Sequence, residues 1–299
     1  MHTLLSLSND LASAVERTAR VVVAVHARPR LPSTGVHWRP GIVVTAEHTV
    51  RVEEEIRVVW PDGRATPARL AARDSATDLA VLTIGDTDRP VAEIGDSTEL
   101  KVGNLVLAVG YGPRASWGVV SAVGDATRTG HGGEVDRLVR VDLVLYPGFS
   151  GGPLVDASGK VAGLVTSGLS RQLELAVPAS TVNRIVDELL TTGRVSRGYL
   201  GLGLQPVALP EALKRVAPGS ATRGLIVVSL EVDGPAARAG LMLGDVLLAV
   251  EGTPLNDPGD VQVALAGRRA GSAVTVSLLR AGAPLDVAVT LGERPSRKR

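Results

Sequence analysis

Tyr146-Pro147-Gly148-Phe149-Ser150-Gly151-Gly152-Pro153-Leu154-Val155 is the stretch on which the reading of this chain turns. It sets one serine among glycines, just ahead of an apolar run. Gly148 lacks a Cβ, so the backbone there can turn tightly and approach a bound group closely. A serine at such a turn can expose its hydroxyl. Its own N–H and that of Gly148 can then point the same way, as two donors for a developing oxyanion. The pattern also fits a glycine-rich hairpin loop whose serine has no chemical role, so the rest of the chain has to decide.

The chain has 299 residues, enough for two ordinary domains. It is 44% hydrophobic and 21% charged, which is globular composition. A net charge of +1 gives no long-range pull toward nucleic acid or an anionic membrane. The absence of cysteine excludes disulfides, cysteine–metal sites and a thiol nucleophile. Neither a metal site nor a cofactor is expected. With one Phe, three Trp and three Tyr, the core is expected to be Val, Leu, Ile and Ala. No run reaches the length of a membrane span. Residues Met1 to Asp10 carry no Lys or Arg ahead of their leucines, unlike a secretory signal peptide. Those features alone give a cytoplasmic default.

Residues 1–20 fit an N-terminal amphipathic helix, with Leu4, Leu7, Leu11, Ala14 or Val15, and Thr18 on one side. From Val21 to Pro178 short β-branched runs alternate with turn residues at roughly ten-residue spacing. Such runs are Gly41–Val44, Ile56–Trp60, Leu79–Leu82, Leu105–Val109, Leu138–Leu145, Val161–Val165 and Leu173–Val177. This is the pattern of an all-β barrel or sandwich and suits two packed small barrels. Val182, Ile185, Val186, Leu189 and Leu190 then recur at helical spacing, with Ser180 as N-cap and Gly193 as the stop. The domain boundary falls just after, giving domains at 1–195 and 196–293 and a basic tail at 294–299. In the second domain, Asp257-Pro258-Gly259-Asp260 supplies an N-cap acid, Pro at N1 and an acid at N3, for a helix to Ala266. Strands at Tyr199–Leu204, Leu225–Leu230, Val246–Val250, Val274–Leu279 and Leu285–Thr290 complete a small sheet.

A serine hydroxyl is a poor nucleophile near neutral pH and needs a base, normally a histidine oriented by a carboxylate. Of five histidines, His2 is in the tail, His26 ends a strand, and His37 and His131 fall in polar loops. His48 stands where the apolar strand Ile42-Val43-Val44 meets a loop. Asp78 directly precedes the apolar run Leu79-Ala80-Val81-Leu82, at a strand mouth, whereas Asp74, Asp86 and Asp88 lie in turns that read as solvated.

Thr45-Ala46-Glu47-His48, Thr77-Asp78-Leu79-Ala80-Val81-Leu82 and Pro147-Gly148-Phe149-Ser150-Gly151-Gly152-Pro153-Leu154 come in the order His, Asp, Ser. Together they resemble the HtrA family of trypsin-like serine proteases. The resemblance extends from Gly41 to about Gly292 and includes Gly118-Val119-Val120-Ser121. It implies a mostly β protein: a chymotrypsin-like double β-barrel followed by a small α+β PDZ domain. Ala239-Gly240-Leu241-Met242-Leu243-Gly244-Asp245-Val246 is similar to a PDZ signature. Tyr199-Leu200-Gly201-Leu202 is similar to the PDZ carboxylate-binding loop, with the helix Val261–Leu265 as the other groove wall. The implied activity is endopeptidase cleavage of unfolded or damaged proteins, with His48 as base, Asp78 as its orienter, Ser150 as nucleophile, and the Gly148 and Ser150 amides as oxyanion hole. The PDZ domain would take peptide C-termini. The family often trimerises and is mostly periplasmic or membrane-tethered, so the resemblance implies a homotrimer as one assembly and the periplasm as the location.

Two departures bear on the site. Phe149 and Tyr146 stand where the family usually has Asn, and they either line the cleft or hold a loop shut. In the second case the protein would be a peptide-binding chaperone or scaffold with a locked site. Phe149 also cannot pair with a new N-terminus, as the Asp before the serine does in chymotrypsin-like zymogens. Activation is then expected from ordering of loops at Tyr111–Trp117, Thr127–Glu134 and Ser167–Gln172. Val144 and Leu145, faced by Thr166, Ser167 and Gly168, are expected to wall a primary pocket. It contains no acid, and so suits small or medium aliphatic side chains.

Overall fold

A computed structural model describes residues 2–85, 88–112, 114–129, 133–170, 174–192, 198–217, 221–265, 268 and 270–292. Asp86, His131, Arg171–Gln172, the Gly193 stop, the boundary at 194–197 and the tail at 294–299 lie outside them. The chain divides into two compact units, Met1–Val195 and Ser196–Arg299.

The first unit opens with α1 (His2–Ala19) and then builds two closed barrels. The first contains β1 (Val22–His26), β2 (Ser33–Arg39), β3 (Ile42–Ala46), β4 (Arg57–Val59), β5 (Ala65–Asp74) and β6 (Leu79–Ile84), in the order β1-β2-β3-β6-β5-β4. The second contains β7 (Leu105–Gly110), β8 (Arg114–Gly124), β11 (Leu138–Asp142), β12 (Pro153–Asp156), β13 (Val161–Thr166) and β14 (Leu175–Pro178). Its order is β11-β14-β13-β12-β7-β8, and a small hairpin, β9 (Thr127–Arg128) with β10 (Glu134–Val135), stands apart. All neighbours within both barrels are antiparallel, so one face of each strand fills the interior while closure removes exposed edges.

Each barrel has its own core. Val23, Val43, Val58, Trp60 and Leu82 fill the first, and Val106, Val120, Val139, Phe149 and Leu154 the second. A third cluster, with Trp38, Val44, Val81, Leu164 and Val177, lies against α2 (Ala179–Thr192). Its stripe of Val182, Ile185, Val186 and Leu189 is fully buried, each side chain contributing about 1.5–3 kcal/mol of burial. Leu190, which the periodicity places on the same stripe, is exposed, and the helix starts one residue ahead of Ser180. Trp38, Trp60 and Phe149 are the largest fully buried side chains, so three of the seven aromatics anchor a core otherwise aliphatic, as expected. The two indoles are satisfied: Trp38 Nε1 donates to Asn183 of α2 at 2.8 Å and Trp60 Nε1 to Thr66 at 3.0 Å.

Three loop expectations are corrected. His37 is in strand β2 and fully buried, with Nδ1 2.7 Å from the Pro90 carbonyl. Arg114–Trp117, expected as mobile loop, is strand paired to β7. Asp74 is buried: it accepts the Ala76 and Thr77 amides at 3.2 Å and so caps the turn that leads to Asp78.

The second unit is a sheet in the order β15-β16-β17-β19-β20, with β18 on β17. Its strands are β15 (Leu202–Ala208), β16 (Arg223–Leu230), β17 (Val246–Val250), β18 (Thr253–Pro254), β19 (Ala273–Arg280) and β20 (Ala283–Thr290). Short helices are α3 (Glu211–Lys214), α4 (Pro235–Arg238) and α5 (Pro258–Ala264). Asp257 and Asp260 close a capping box at α5, with Pro258 in its first turn. No described helix in either unit is long and apolar enough to cross a membrane.

Asp245, 1% exposed, holds this sheet to its loop. It accepts Arg280 Nε at 2.9 Å, Arg280 Nη2 at 2.8 Å and the Met242 amide at 2.8 Å. Burial pushes its carboxyl up, but the Arg280 and Met242 bonds and the Arg280 charge outweigh that and hold it below the ordinary value. A depressed carboxyl stabilises the fold above the unfolded value near about 4 and loses that contribution as pH falls through the folded one. Asp245→Asn is therefore expected to cost the second unit about 2 kcal/mol or more at pH 7. It should also reduce the stability loss below about pH 4, to which Glu251, held below its ordinary value chiefly by the Thr275 amide, still contributes. Amide exchange in β17 and β19 against pH reads both effects.

Candidate active site

Antiparallel pairing of β3 with β6 puts Ala46 opposite Leu79, so the residues after one strand meet those before the other. Asp78 sits there with φ +56°, a left-handed conformation uncommon outside glycine. Its backbone and side chain explain the strain: the Glu47 amide donates to its carbonyl at 3.0 Å and the His48 amide to Oδ1 at 2.8 Å. His48 Nδ1 lies 2.8 Å from Oδ2. An ionised carboxylate can only accept, so Nδ1 carries the proton and Nε2 keeps its lone pair. Thr166 Oγ1, from β13 of the other barrel, also donates to Asp78 Oδ2. The carboxylate is buried while the imidazole stays 35% exposed.

Ser150 follows a type II turn, in which the Phe149 amide donates to the Tyr146 carbonyl at 3.0 Å. Pro147 and Gly148, with φ +94°, hold the two central places that this turn favours. Thr34 Oγ1, from β2, pins the loop by donating to the Gly148 carbonyl at 2.7 Å. Gly151 fits against the first barrel so closely that a Cβ would lie 2.3 Å from the Thr34 carbonyl and 2.6 Å from the Ala46 nitrogen. The serine turn is thus seated against Ala46, two residues from His48. Neither the Gly148 amide nor the Ser150 amide donates to another described residue. Ser150 Oγ lies 3.1 Å from Ser167 Oγ and accepts the Ser167 amide at 3.3 Å, and no hydrogen bond joins it to His48.

The expected pocket walls divide. Val144 is exposed and Leu145 leans on the second barrel's core. Thr166 is 3% exposed and turns its hydroxyl to Asp78, so its side chain is a support of the carboxylate and not a wall. Gly168 packs against the imidazole and carboxylate: a Cβ there would lie 2.7 Å from His48 Nδ1 and 2.4 Å from Asp78 Oδ2. Thr34, which also accepts the Tyr111 amide at 3.2 Å, carries no sequence signal for this role, because its partners lie more than seventy residues away.

Phe149 is fully buried in the second barrel and does not face the cleft. Tyr146 is exposed and meets it edge-on, ring centroids 5.6 Å apart. Arg114 lies over the other ring at 5.6 Å.

In the second unit, Leu200 is buried and Gly201 has φ +75°. Their carbonyls accept the Ala236 and Glu231 amides, at 2.9 and 3.0 Å, whereas their own amides donate to no described residue. Tyr199 bridges to Gly292, and Leu202 opens β15, an edge strand. Val261 and Leu265 are buried in one cluster with Leu200, so α5 presents them to the domain core beside that edge.

Two closed six-stranded barrels, with a histidine–carboxylate pair at the mouth of one and a serine turn from the other, define a chymotrypsin-like double barrel. Comparison with known proteins agrees. A trypsin-like peptidase domain matches residues 33–164 and a PDZ domain residues 198–291. The chain is 35% identical over 288 residues to the probable periplasmic serine endoprotease DegP-like of Brucella suis, covering 91% of this chain and 55% of that protein. It spans about half the length of the curated relatives it matches. Among solved structures, the HtrA-type protease AlgW with tripeptide is 31% identical with a TM-score of 0.70, over 95% of this chain and 97% of that one. The serine endoprotease from Yersinia pestis is 30% identical with a TM-score of 0.73, over 94% and 97%. The chain belongs to the HtrA family of trypsin-like serine proteases with a PDZ domain.

Phe149→Ala should cost the first unit about 3–5 kcal/mol through the cavity it leaves. Denaturant unfolding followed by tryptophan fluorescence reports this directly, since all three tryptophans lie in that unit.

Proposed function

We propose that this protein is a serine endopeptidase of protein quality control, in which Ser150 attacks the peptide carbonyl, His48 is the general base and Asp78 orients it. The observation that carries the reading is the His48 Nδ1–Asp78 Oδ2 contact at 2.8 Å, which fixes the tautomer with Nε2 as proton acceptor. As Ser150 Oγ bonds to the carbonyl carbon, its proton passes to His48 Nε2, and Asp78 stabilises the imidazolium. His48 then protonates the leaving amine, and water repeats the cycle on the acyl-enzyme. The unengaged amides of Gly148 and Ser150 suit the oxyanion, each donor being worth about 3 kcal/mol. Thr166 and Gly168 act by positioning the pair.

Substrates are unfolded or damaged proteins, with small or medium aliphatic residues at the scissile bond, because Val144 and Leu145 bring no charge to that side. Phe149 is buried in the barrel core and cannot itself lock the site, which favours an enzyme over a locked scaffold. The relatives' names support a periplasmic location, and the cytoplasmic default drawn from the N-terminal residues is set aside. A homotrimer is the assembly in keeping with the family, supported by the exposed apolar surface that Leu4 and Leu7 share with Trp117.

Ser150→Ala and His48→Ala should each lower turnover of unfolded casein by about a millionfold. Thr166→Val should lower it roughly ten- to hundredfold, as expected for one hydrogen bond to a charged group. Wild-type turnover in Ser150→Ala would end the proposal.

The second unit is the peptide module of the same protein. A peptide C-terminus would extend the sheet beside β15, its carboxylate meeting the amides around Leu200, Gly201 and Leu202. Titration with a fluorescent peptide ending in an aliphatic residue should show at least about tenfold weaker binding once the C-terminus is amidated. Equal affinities would rule the site out.

A further inference from the structure

We infer that Ser167 is a positioning residue that holds the Ser150 hydroxyl in a resting orientation, off the His48 imidazole, and so sets the rate at which the site acylates. The inference rests on the endopeptidase reading above and adds to it a residue that the triad does not include. Ser150 Oγ lies 3.1 Å from Ser167 Oγ and accepts the Ser167 amide at 3.3 Å, while no hydrogen bond joins it to His48. The Ser167 amide engages one lone pair of the nucleophilic oxygen. The second hydroxyl either engages the other lone pair or takes up the proton that the imidazole must receive. In both cases attack requires that Ser150 first leave Ser167.

The geometry gives Ser167 little freedom to drift away. It follows Thr166, whose hydroxyl is fixed on Asp78 and also accepts the Gly168 amide at 3.0 Å. On its other side Gly168 is packed against His48 Nδ1 and Asp78 Oδ2. The backbone that carries Ser167 is therefore anchored to the same carboxylate that orients the base, and the Ser150 side chain must rotate to leave the Ser167 amide. A hydroxyl–hydroxyl bond is modest, so it delays the nucleophile without blocking it.

The test is the kinetics of a small alkyl fluorophosphonate on the full chain, resolved into probe affinity and the first-order rate of Ser150 phosphonylation. Ser167→Ala, which removes the hydroxyl and keeps the amide, should raise that rate by about three- to tenfold with affinity unchanged. Ser167→Thr, which restores a hydroxyl, should return it to within about twofold of wild type. A merely structural role would slow the reaction in the Ala variant. An unchanged or lower rate in a Ser167→Ala protein whose circular dichroism and melting match wild type would overturn the latch while leaving the endopeptidase reading intact. A rate raised equally in Ala and Thr would overturn it too. Failure of wild type to label at Ser150 would remove both.

Discussion

Asp78 is the group on which the site depends. Its carboxylate receives the His48 amide and ring from one barrel and the Thr166 hydroxyl from the other. Burying an ionised carboxylate is costly unless its lone pairs are engaged, and here each oxygen is. The requirement runs both ways. The two barrels must close on each other for the charge to be satisfied, and the satisfied charge holds the imidazole in one orientation. The left-handed backbone at Asp78 and the Asp74 cap behind it are the local costs of that placement.

The serine turn is built with a different logic. No ion pair among the described residues holds it, and its charged neighbour, Arg114, lies over the Phe149 ring. Thr34 pins the Gly148 carbonyl, Gly151 lies flush against Thr34 and Ala46, and Phe149 plugs the second barrel from inside. A buried ring stands immediately before Ser150, where chymotrypsin-like enzymes generally use a charge. Hydrophobic burial is insensitive to a new N-terminus, and packing is what holds this turn.

Much of this was legible in the residues. The short runs at ten-residue spacing announced barrels, and the stripe from Val182 to Leu189 announced α2. The Asp257–Asp260 pattern announced the start of α5, and the structure adds that the two acids close a capping box. These signals are local, and the physics behind them acts within a turn or a strand. The strands that went unread, β2 with Ser33-Thr34-Gly35 and β5 with its arginines, lack apolar runs. They are strands because closure of a barrel supplies partners on both sides. His37 and Asp74 were misplaced for the same reason, since their partners come from outside their own segments.

By itself the sequence determined which residues can do chemistry: a serine in a turn only glycines allow, a histidine and an acid at strand ends, and their order along the chain. Only the tertiary structure decided what those residues touch. Thr166 became a support of Asp78, Gly168 a close neighbour of the imidazole, Phe149 a core residue, and Ser167 the partner of Ser150. Each of those contacts joins segments far apart in sequence, or turns on which way one side chain faces. Periodicity and turn chemistry report neither, because both are set by how two closed barrels pack.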